Sequence, residues 1–554
     1  MKTHSPTSQP ITGAQLLMEL LKQQGIDTIF GIPGGSILPI YDAMHTSGIR
    51  HVLARHEQGA GFMAQGMARS TGKPAVCMAT SGPGAVNLLT AISDAYSDSV
   101  PLIVITGQVP LTLMGTAAFQ EVDVVGMSRT ITKRSILVTD VNDLPQIIHD
   151  AFRLATEGRP GPVWIDIPKD VQLAPFTGHW RAPQPAMDGL TDFSSIARVQ
   201  EMLTRSRRPV IIAGNGIIIA NVADVLQQIA VHYRIPVLTT LHGKGAMPDG
   251  HPLNLGMAGM HGLASANDAL NTADLVIALG IRFDDRLTGN VQAFCPDAKI
   301  VHVDIHPVQL NRIKPAHLAI CADLGLWLTA WASLLPPAVA KPMMARVSTI
   351  EPDDVAGGWL RAFAELMPAD AIVTTDVGQH QMWVAQYYPL SSPRSLLTSG
   401  GQGTMGFGLP AAIGAAIAHP HRKVVCFTGD GSLMMNIQEL ATLAELNLDI
   451  TIVLMNNEGL GMVRQQQQLF WGERLAASEY VQPTRFSAIA QAFGIHTMEA
   501  SMGDGVAALT RYDWMLPQPT FLHLQVDADQ LVSPIMQPGH SINAMMDCKR
   551  VYEV

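Results

Sequence analysis

Cysteine is scarce and scattered, with five residues, Cys77, Cys295, Cys321, Cys426 and Cys548, in a chain of 554. Their wide spacing excludes a disulfide-stapled scaffold. Cys77 and Cys426 lie in apolar strand-like runs, so the set reads as reduced core thiols of a cytoplasmic protein. No run approaches the ~18 unbroken apolar residues of a membrane helix. The opening MKTHSPTSQP lacks the apolar stretch of a secretory signal and is too short for a plastid transit peptide. Positive charge is also lacking: a net charge of −10 removes the electrostatic reason to expect nucleic acid or an anionic membrane, and an anionic substrate must be drawn by local cations. What is present is apolar mass. At 47% hydrophobic, the chain is a packed globular protein too long for one core, and its 28 methionines read as pliable core filling.

The pattern predicts an α/β protein of three consecutive domains, each a mainly parallel sheet flanked by helices. In the first, a helix over Gln15 to Gln24 precedes strands at Asp27 to Phe30, His51 to Ala54, Ala75 to Ala79, Leu102 to Thr106 and Val163 to Ile167. A linker is expected over Phe176 to Asp192. Strands at Val210 to Ala213, Pro236 to Thr240, Leu275 to Leu279 and Ile300 to Asp304 repeat the scheme, and a second linker, LPPAVAKPMMARVSTIEPDD, follows. Ala371 to Thr375, Lys423 to Thr428, Thr451 to Met455 and Thr520 to Val526 complete a third unit. The expected domains are 1–180, 190–340 and 355–540.

The sharpest chemical signal lies in the third. Two buried-type strands end in Gly429-Asp430-Gly431 and in Asn456-Asn457, with a helix-length segment between them. A carboxylate and an amide thus stand at the ends of parallel strands, where open α/β sheets bind ligands. Magnesium wants six oxygens and often shares them with phosphates. Asp430, the Asn457 amide and a backbone carbonyl such as that of Gly459 supply part of such a shell, and Gly429 and Gly431 let a diphosphate approach the main chain. A lone Gly-Asp-Gly is usually only a tight turn.

The segment GDGSLMMNIQELATLAELNLDITIVLMNNEGLGMV resembles the thiamine-diphosphate signature and, in detail, the acetohydroxyacid synthase (acetolactate synthase) catalytic-subunit family. FGIPGGSILPIYDA, LARHEQGAGFMAQGMAR, SGPGAVNLLTAISDA, RPGPVWIDIPKDVQ, RFDDRLTG, TTDVGQHQMW and SGGQGTMGFGLPAAIGA extend the resemblance over nearly the whole chain. It implies that Glu57, otherwise an ordinary helix-start carboxylate, bonds the coenzyme's aminopyrimidine and works as an acid–base group. Gly35, Phe119, Gln120 and Lys169 match catalytic positions. Pro33, Gly34, Val377, Gly378, Gln379, His380, Gly403, Met405, Ser432 and Gly461 join Gly429, Asp430 and Gly431 as coenzyme contacts, with Gln379 and His380 as donors to the diphosphate. Asp430, Asn457 and Gly459 are the implied Mg2+ ligands.

By the same resemblance the middle domain holds a structural, non-redox FAD, through Arg159, Gly214, Gly216, Leu241, Met260, His261, Arg282, Asp284, Arg286, Asp304, Asp323, Gly400 and Gly401. Arg286 is implied to bind the carboxylate of a second 2-ketoacid, a role suited to a fork of N–H donors. Met462 and Gln466 line the same place. Most biosynthetic members carry Trp where this chain has Gln466, a Gln shared by the enterobacterial isozyme I type that it resembles, so only a weak preference for 2-ketobutyrate over pyruvate is expected. The implied reaction is decarboxylation of pyruvate and carboligation to a second 2-ketoacid, the first committed step of branched-chain amino-acid biosynthesis. A homodimer with the coenzyme at the subunit interface and a small regulatory subunit are implied by family alone. The alternatives are another thiamine-diphosphate/FAD enzyme such as pyruvate oxidase, or a non-catalytic FAD-binding scaffold.

Overall fold

The computed structural model describes residues 11–178, 193–335 and 355–548. The linker expected over residues 335–354 lies almost wholly outside the described residues, as does most of that over 176–192. The latter begins late: Pro175–Phe176 pairs antiparallel with Ile11–Thr12. Thr12 then caps the helix Gly13–Gln23, its hydroxyl accepting from the Gln15 N–H while the Gln15 side chain accepts from the Thr12 N–H.

Three six-stranded, wholly parallel sheets are present, one for each expected α/β unit. Across the first, the strands run Arg50–Leu53, Thr28–Gly31, Ala75–Ala79, Leu102–Gln108, Val163–Pro168, Arg134–Leu137, an order of 2-1-3-4-6-5 counted along the chain. The third runs Leu396–Leu397, Ile372–Thr375, Val424–Gly429, Ile450–Asn456, Thr520–Gln525, His496–Ser501, which is the same order. The second runs Asn254–Met257, Val237–Thr239, Pro209–Ala213, Leu275–Leu279, Lys299–Asp304, Leu318–Cys321, an order of 3-2-1-4-5-6. That last order is the one found in dinucleotide-binding sheets. Parallel strands are covered on both faces, and Leu275–Leu279 shows why they read as unbroken apolar runs. Leu275, Ile277 and Leu279 enter one buried cluster while Val276 and Ala278 enter another.

Within these three sheets five strands were not anticipated: Arg134–Leu137, Asn254–Met257, Leu318–Cys321, Leu396–Leu397 and His496–Ser501. Each lies at a sheet edge, with one neighbour and partly exposed side chains. The hydrophobic signal fades there because only one edge of the strand is paired.

The chain divides into two compact units, Met1–Met187 with Gly401–Pro420 and Met435–Leu448, and Asp188–Gly400 with His421–Met434 and Asp449–Val554. In the first unit, helix Gly408–Ala418 packs on helix Glu57–Thr71 so closely that a Cβ on Gly66 would lie 2.0 Å from the Ala411 carbonyl oxygen, and one on Gly414 1.8 Å from that of Met63. Glycine is obligatory at this crossing. Among the described residues no helix is long and apolar enough to cross a membrane, and all five cysteines are free thiols.

Candidate functional site

In open α/β sheets a crevice forms where the strand order reverses, at the carboxyl ends of the strands. In the third sheet this point lies between Ile372–Thr375 and Val424–Gly429, and it gathers Asp376 to His380 with Gly429 to Ser432. Asp430 opens the short helix Asp430–Leu433. Its Oδ1 accepts from the Gly431 N–H at 2.9 Å and its Oδ2 from the Gly459 N–H at 2.8 Å. Burial nonetheless pushes its carboxyl up to about 6, so a nearby cation would relieve the cost of its charge. The Ser432 hydroxyl donates to the Val377 carbonyl at 2.6 Å, locking the two strand ends together.

The two asparagines separate in role. Asn456 is absorbed by structure, its side chain bonding His523 Nε2 at 2.9 Å and accepting from the Glu458 N–H at 3.0 Å. Asn457 Nδ2 donates to Gln379 Oε1 at 2.8 Å, which leaves Asn457 Oδ1 available to a cation. Gln379 Nε2 in turn donates to Gln465 Oε1 at 2.9 Å and to the Gln530 carbonyl at 3.0 Å. Both its side-chain N–H groups are therefore engaged within the protein, and its Oε1 orients Asn457. His380 lies against Gly378 and Gly429, where a Cβ would approach its ring within 2.9 and 3.0 Å. Burial drives its imidazole down to about 3, so it stays neutral, and its buried Nε2 has no partner among the described residues. An orphaned polar nitrogen beside a glycine-lined turn suits a phosphate-bearing ligand. Gly461 closes the site, with Met462 and Gln466 on its helix, Gly461–Phe470; Met462 is half-buried and Gln466 exposed.

In the first sheet the reversal lies between Thr28–Gly31 and Ala75–Ala79, and the loops there are bound by a buried hydroxyl cluster. Ser36 Oγ lies 2.9 Å from both Thr80 Oγ1 and Ser81 Oγ. Gly34 presses on Thr80, with 2.5 Å to a built Cβ, whereas Gly35 faces open space beside exposed Pro33. Glu57 is the first residue of helix Glu57–Thr71, and its Oε2 accepts from Asn87 Nδ2 at 2.9 Å. The preceding turn is held by buried Glu439, which accepts from the Arg55 and His56 N–H groups at 2.9 and 3.0 Å. Gln120 sits at φ 61°, an uncommon conformation for a residue with a Cβ, and packs against Gly82. Phe119 beside it is 88% exposed. Lys169, half-buried, begins a helix after Val163–Pro168. Gly403 and Met405 belong to this first unit, where Thr404 Oγ1 donates to Asp94 at 2.8 Å.

At the second sheet's reversal, Gly214 and Gly216 meet Gly280 with 2.3 and 2.6 Å to built Cβ atoms, so strand ends and helix start touch backbone to backbone. Asp304 accepts from the His306 N–H at 2.8 Å and Asp323 caps helix Leu324–Ser333. Leu241 opens a short turn with His242, whose ring leaves no room for a side chain on Gly400. Arg282 and Asp284 lie 3.8 Å apart, and Asp284 caps the turn Asp285–Thr288. Arg286 is mostly exposed, 3.6 Å from Asp285 and bonded through Nη1 to Met260 Sδ at 3.0 Å. Arg159 and Gly401, expected in this group, belong to the first unit. Arg159 there donates to the Tyr96 and Ser97 carbonyls at the end of helix Pro83–Ser97, and the Gly401 N–H donates to Asp98.

His261 is half-buried, its buried Nδ1 has no partner among the described residues, and desolvation together with Arg286 lowers its ring to about 4. An unfolded histidine takes a proton near 6.5, so stability is lost as pH falls from there toward 4. The loss attributable to this residue at pH 5 is on the order of 2 kcal/mol. His261→Gln should therefore flatten the fall in thermal midpoint between pH 7 and pH 5.

Sequence reasoning missed Asn87, Glu439 and Gln465. Asn87 and Glu439 sit inside quoted motifs and Gln465 two residues beyond one, but a hydrogen bond spanning 30 residues or more leaves no local pattern.

Comparison with known proteins bears on the whole chain. Residues 11–127 match Thiamine pyrophosphate enzyme, N-terminal TPP binding domain; residues 196–331 match the central domain and residues 376–524 the C-terminal TPP binding domain of the same enzymes. The acetolactate synthase isozyme 1 large subunit of Escherichia coli is 50% identical over 98% of both chains, and isozyme 2 is 43% identical over 97% of this chain and 100% of its own. The acetolactate synthase large subunit of Lactococcus lactis is 42% identical over 96% of this chain and 95% of its own. By these matches, which run through all three sheets and both strand-end sites, the chain belongs to the acetolactate synthase large-subunit family of thiamine pyrophosphate enzymes.

Proposed function

We infer that this chain decarboxylates pyruvate and joins the two-carbon fragment to a second 2-ketoacid, yielding 2-acetolactate from pyruvate or 2-aceto-2-hydroxybutyrate from 2-ketobutyrate. This is the entry to branched-chain amino-acid synthesis. The reading is carried by full-length identity to acetolactate synthases, within which Glu57 and Asp430 stand at strand-end sites. Bound thiamine diphosphate supplies the carbon nucleophile and the electron sink. The protein orients, excludes water and moves protons. Glu57 holds a proton at the pyrimidine end, and Gly34 and Gly35 admit the reacting atoms close to the main chain. Phe119, Gln120 and Lys169 shape that space and give it positive potential.

Mg2+ is the cation the third sheet suits. Among the described residues no three His, Cys, Asp or Glu side chains group to hold a metal. One carboxylate, one amide oxygen and a carbonyl such as that of Gly459 form a half-shell that phosphate oxygens and water complete. FAD fits the second sheet, which has the dinucleotide strand order, a glycine turn at its reversal and the unpartnered His261 nitrogen. Domain limits near 1–180, 190–340 and 355–540, a homodimer, a small regulatory partner and a cytoplasmic location complete the proposal. The relatives' designation as large subunits supports the partner, and the free thiols support the location.

The purified chain, given pyruvate, Mg2+ and thiamine diphosphate, should form acetolactate without reducing bound FAD. Stoichiometric reduction of FAD by pyruvate would instead mark an oxidase. Gln466 lies exposed on its helix and offers no apolar wall. Gln466→Trp should therefore raise the ratio of 2-aceto-2-hydroxybutyrate to acetolactate, in mixed-substrate competition, by about tenfold or more.

A further inference from the structure

Gln465 is wholly buried on helix Gly461–Phe470. Its Oε1 accepts from the Val532 N–H at 2.9 Å and its Nε2 donates to the Val532 carbonyl at 2.8 Å. A backbone N–H only donates and a carbonyl only accepts, so this pairing leaves Gln465 one orientation. The consequence propagates. Oε1 of Gln465, facing Gln379, demands a donor there, and the Gln530 carbonyl demands the same, so Gln379 must present Nε2 to both. Its Oε1 is then turned toward Asn457, which must answer with Nδ2. Asn457 Oδ1 accepts no hydrogen bond from a described residue. Gly461 guards the last link, since a Cβ there would lie 2.1 Å from Asn457 Nδ2 and 2.2 Å from Gln379 Oε1.

We propose that Gln465 is a positioning residue for the metal site: through Gln379 it fixes which end of the Asn457 amide is offered to the cation. An asparagine free to flip would present N–H groups to Mg2+ for part of the time, and a wrongly oriented ligand weakens binding without changing the ligand set. The inference rests on the reading that Asp430 and Asn457 hold a magnesium diphosphate. Outer partners of this kind typically account for 10- to 100-fold in metal affinity.

The test titrates Mg2+ against coenzyme binding, followed by quenching of tryptophan fluorescence, with no turnover required. Gln465→Met removes the donor and both acceptor contacts and should raise half-saturating Mg2+ by tenfold or more. Gln465→Glu, protonated when buried, offers an O–H donor and a carbonyl acceptor in place of the amide's Nε2 and Oε1 and should stay within about threefold of the parent. Val463→Thr, exposed on the same helix, should leave the titration unchanged. Gly461→Ala, which sets a methyl against Asn457 Nδ2 and Gln379 Oε1, should match Gln465→Met, and Gln379→Met, which removes the link between Gln465 and Asn457 but leaves the Gln465–Val532 pair, replaces it if Gln465→Met does not fold. Equal losses in Gln465→Met and Gln465→Glu, or no loss in Gly461→Ala, overturn the relay while leaving the metal reading intact. Unchanged coenzyme binding in Asp430→Asn sinks the metal reading itself, and the relay with it.

Discussion

Glu57→Gln is expected to lower acetolactate turnover by about two to four decades while leaving coenzyme affinity within a few fold. Glutamine keeps the length of the side chain and still accepts from Asn87 Nδ2, so the turn braced by Glu439 and the helix start survive. What is lost is the capacity to share a proton. The exchange of the coenzyme's thiazolium proton for deuterium, measured by quenched-flow NMR, should slow in parallel with turnover. A fall of less than tenfold in both rates would assign Glu57 to the role that its place at a helix N-terminus already allows, a carboxylate stabilised by free N–H groups. The surroundings argue otherwise. Tyr41, half-buried near Glu57, has its phenol pushed far up by desolvation and by the Glu57 charge, so Glu57 lies where its charge is felt by a poorly solvated neighbour.

Asp430→Asn is expected to cost coenzyme binding outright, raising half-saturating thiamine diphosphate by about two decades or more at millimolar Mg2+, since even outer-shell losses reach 10- to 100-fold. The carboxylate is the sole anion in the proposed half-shell, and its burial already raises its proton affinity. Replacing it with a neutral amide removes the charge that makes magnesium welcome. The amide also turns an N–H toward the Gly431 or Gly459 donor, a mismatch of about 1–3 kcal/mol. Comparing the apo thermal midpoint with the parent separates the two effects. A large drop in midpoint with unchanged coenzyme affinity would make Asp430 a structural carboxylate.

How much was legible varies by the kind of interaction. Central strands were readable because parallel strands covered on both faces are continuous apolar runs, as Leu275–Leu279 and Val424–Gly429 are. Edge strands such as Arg134–Leu137 and His496–Ser501 were not, since half their surface answers to solvent. The strand-end placement of Asp430 and Asn457 was readable because apolar runs and glycines mark those ends locally. Gln465 was not. It sits in a run of four glutamines, Gln465 to Gln468, whose members are chemically identical; only the helical turn decides that one is buried at 0% exposure and another, Gln466, faces out.

By itself the chain of residues determined the α/β class, the three-sheet count, the family and the strand ends at Gly429 and Asn456, because each is written in patterns a few residues long. Tertiary structure alone decided that the first and third sheets share one strand order while the second takes another. It also decided that residues 401–420 and 435–448 join the first unit, and which amide of four orients Asn457. These depend on partners 30 to 390 residues apart, and a hydrogen bond's direction is set by the atom it meets, which sequence adjacency does not specify.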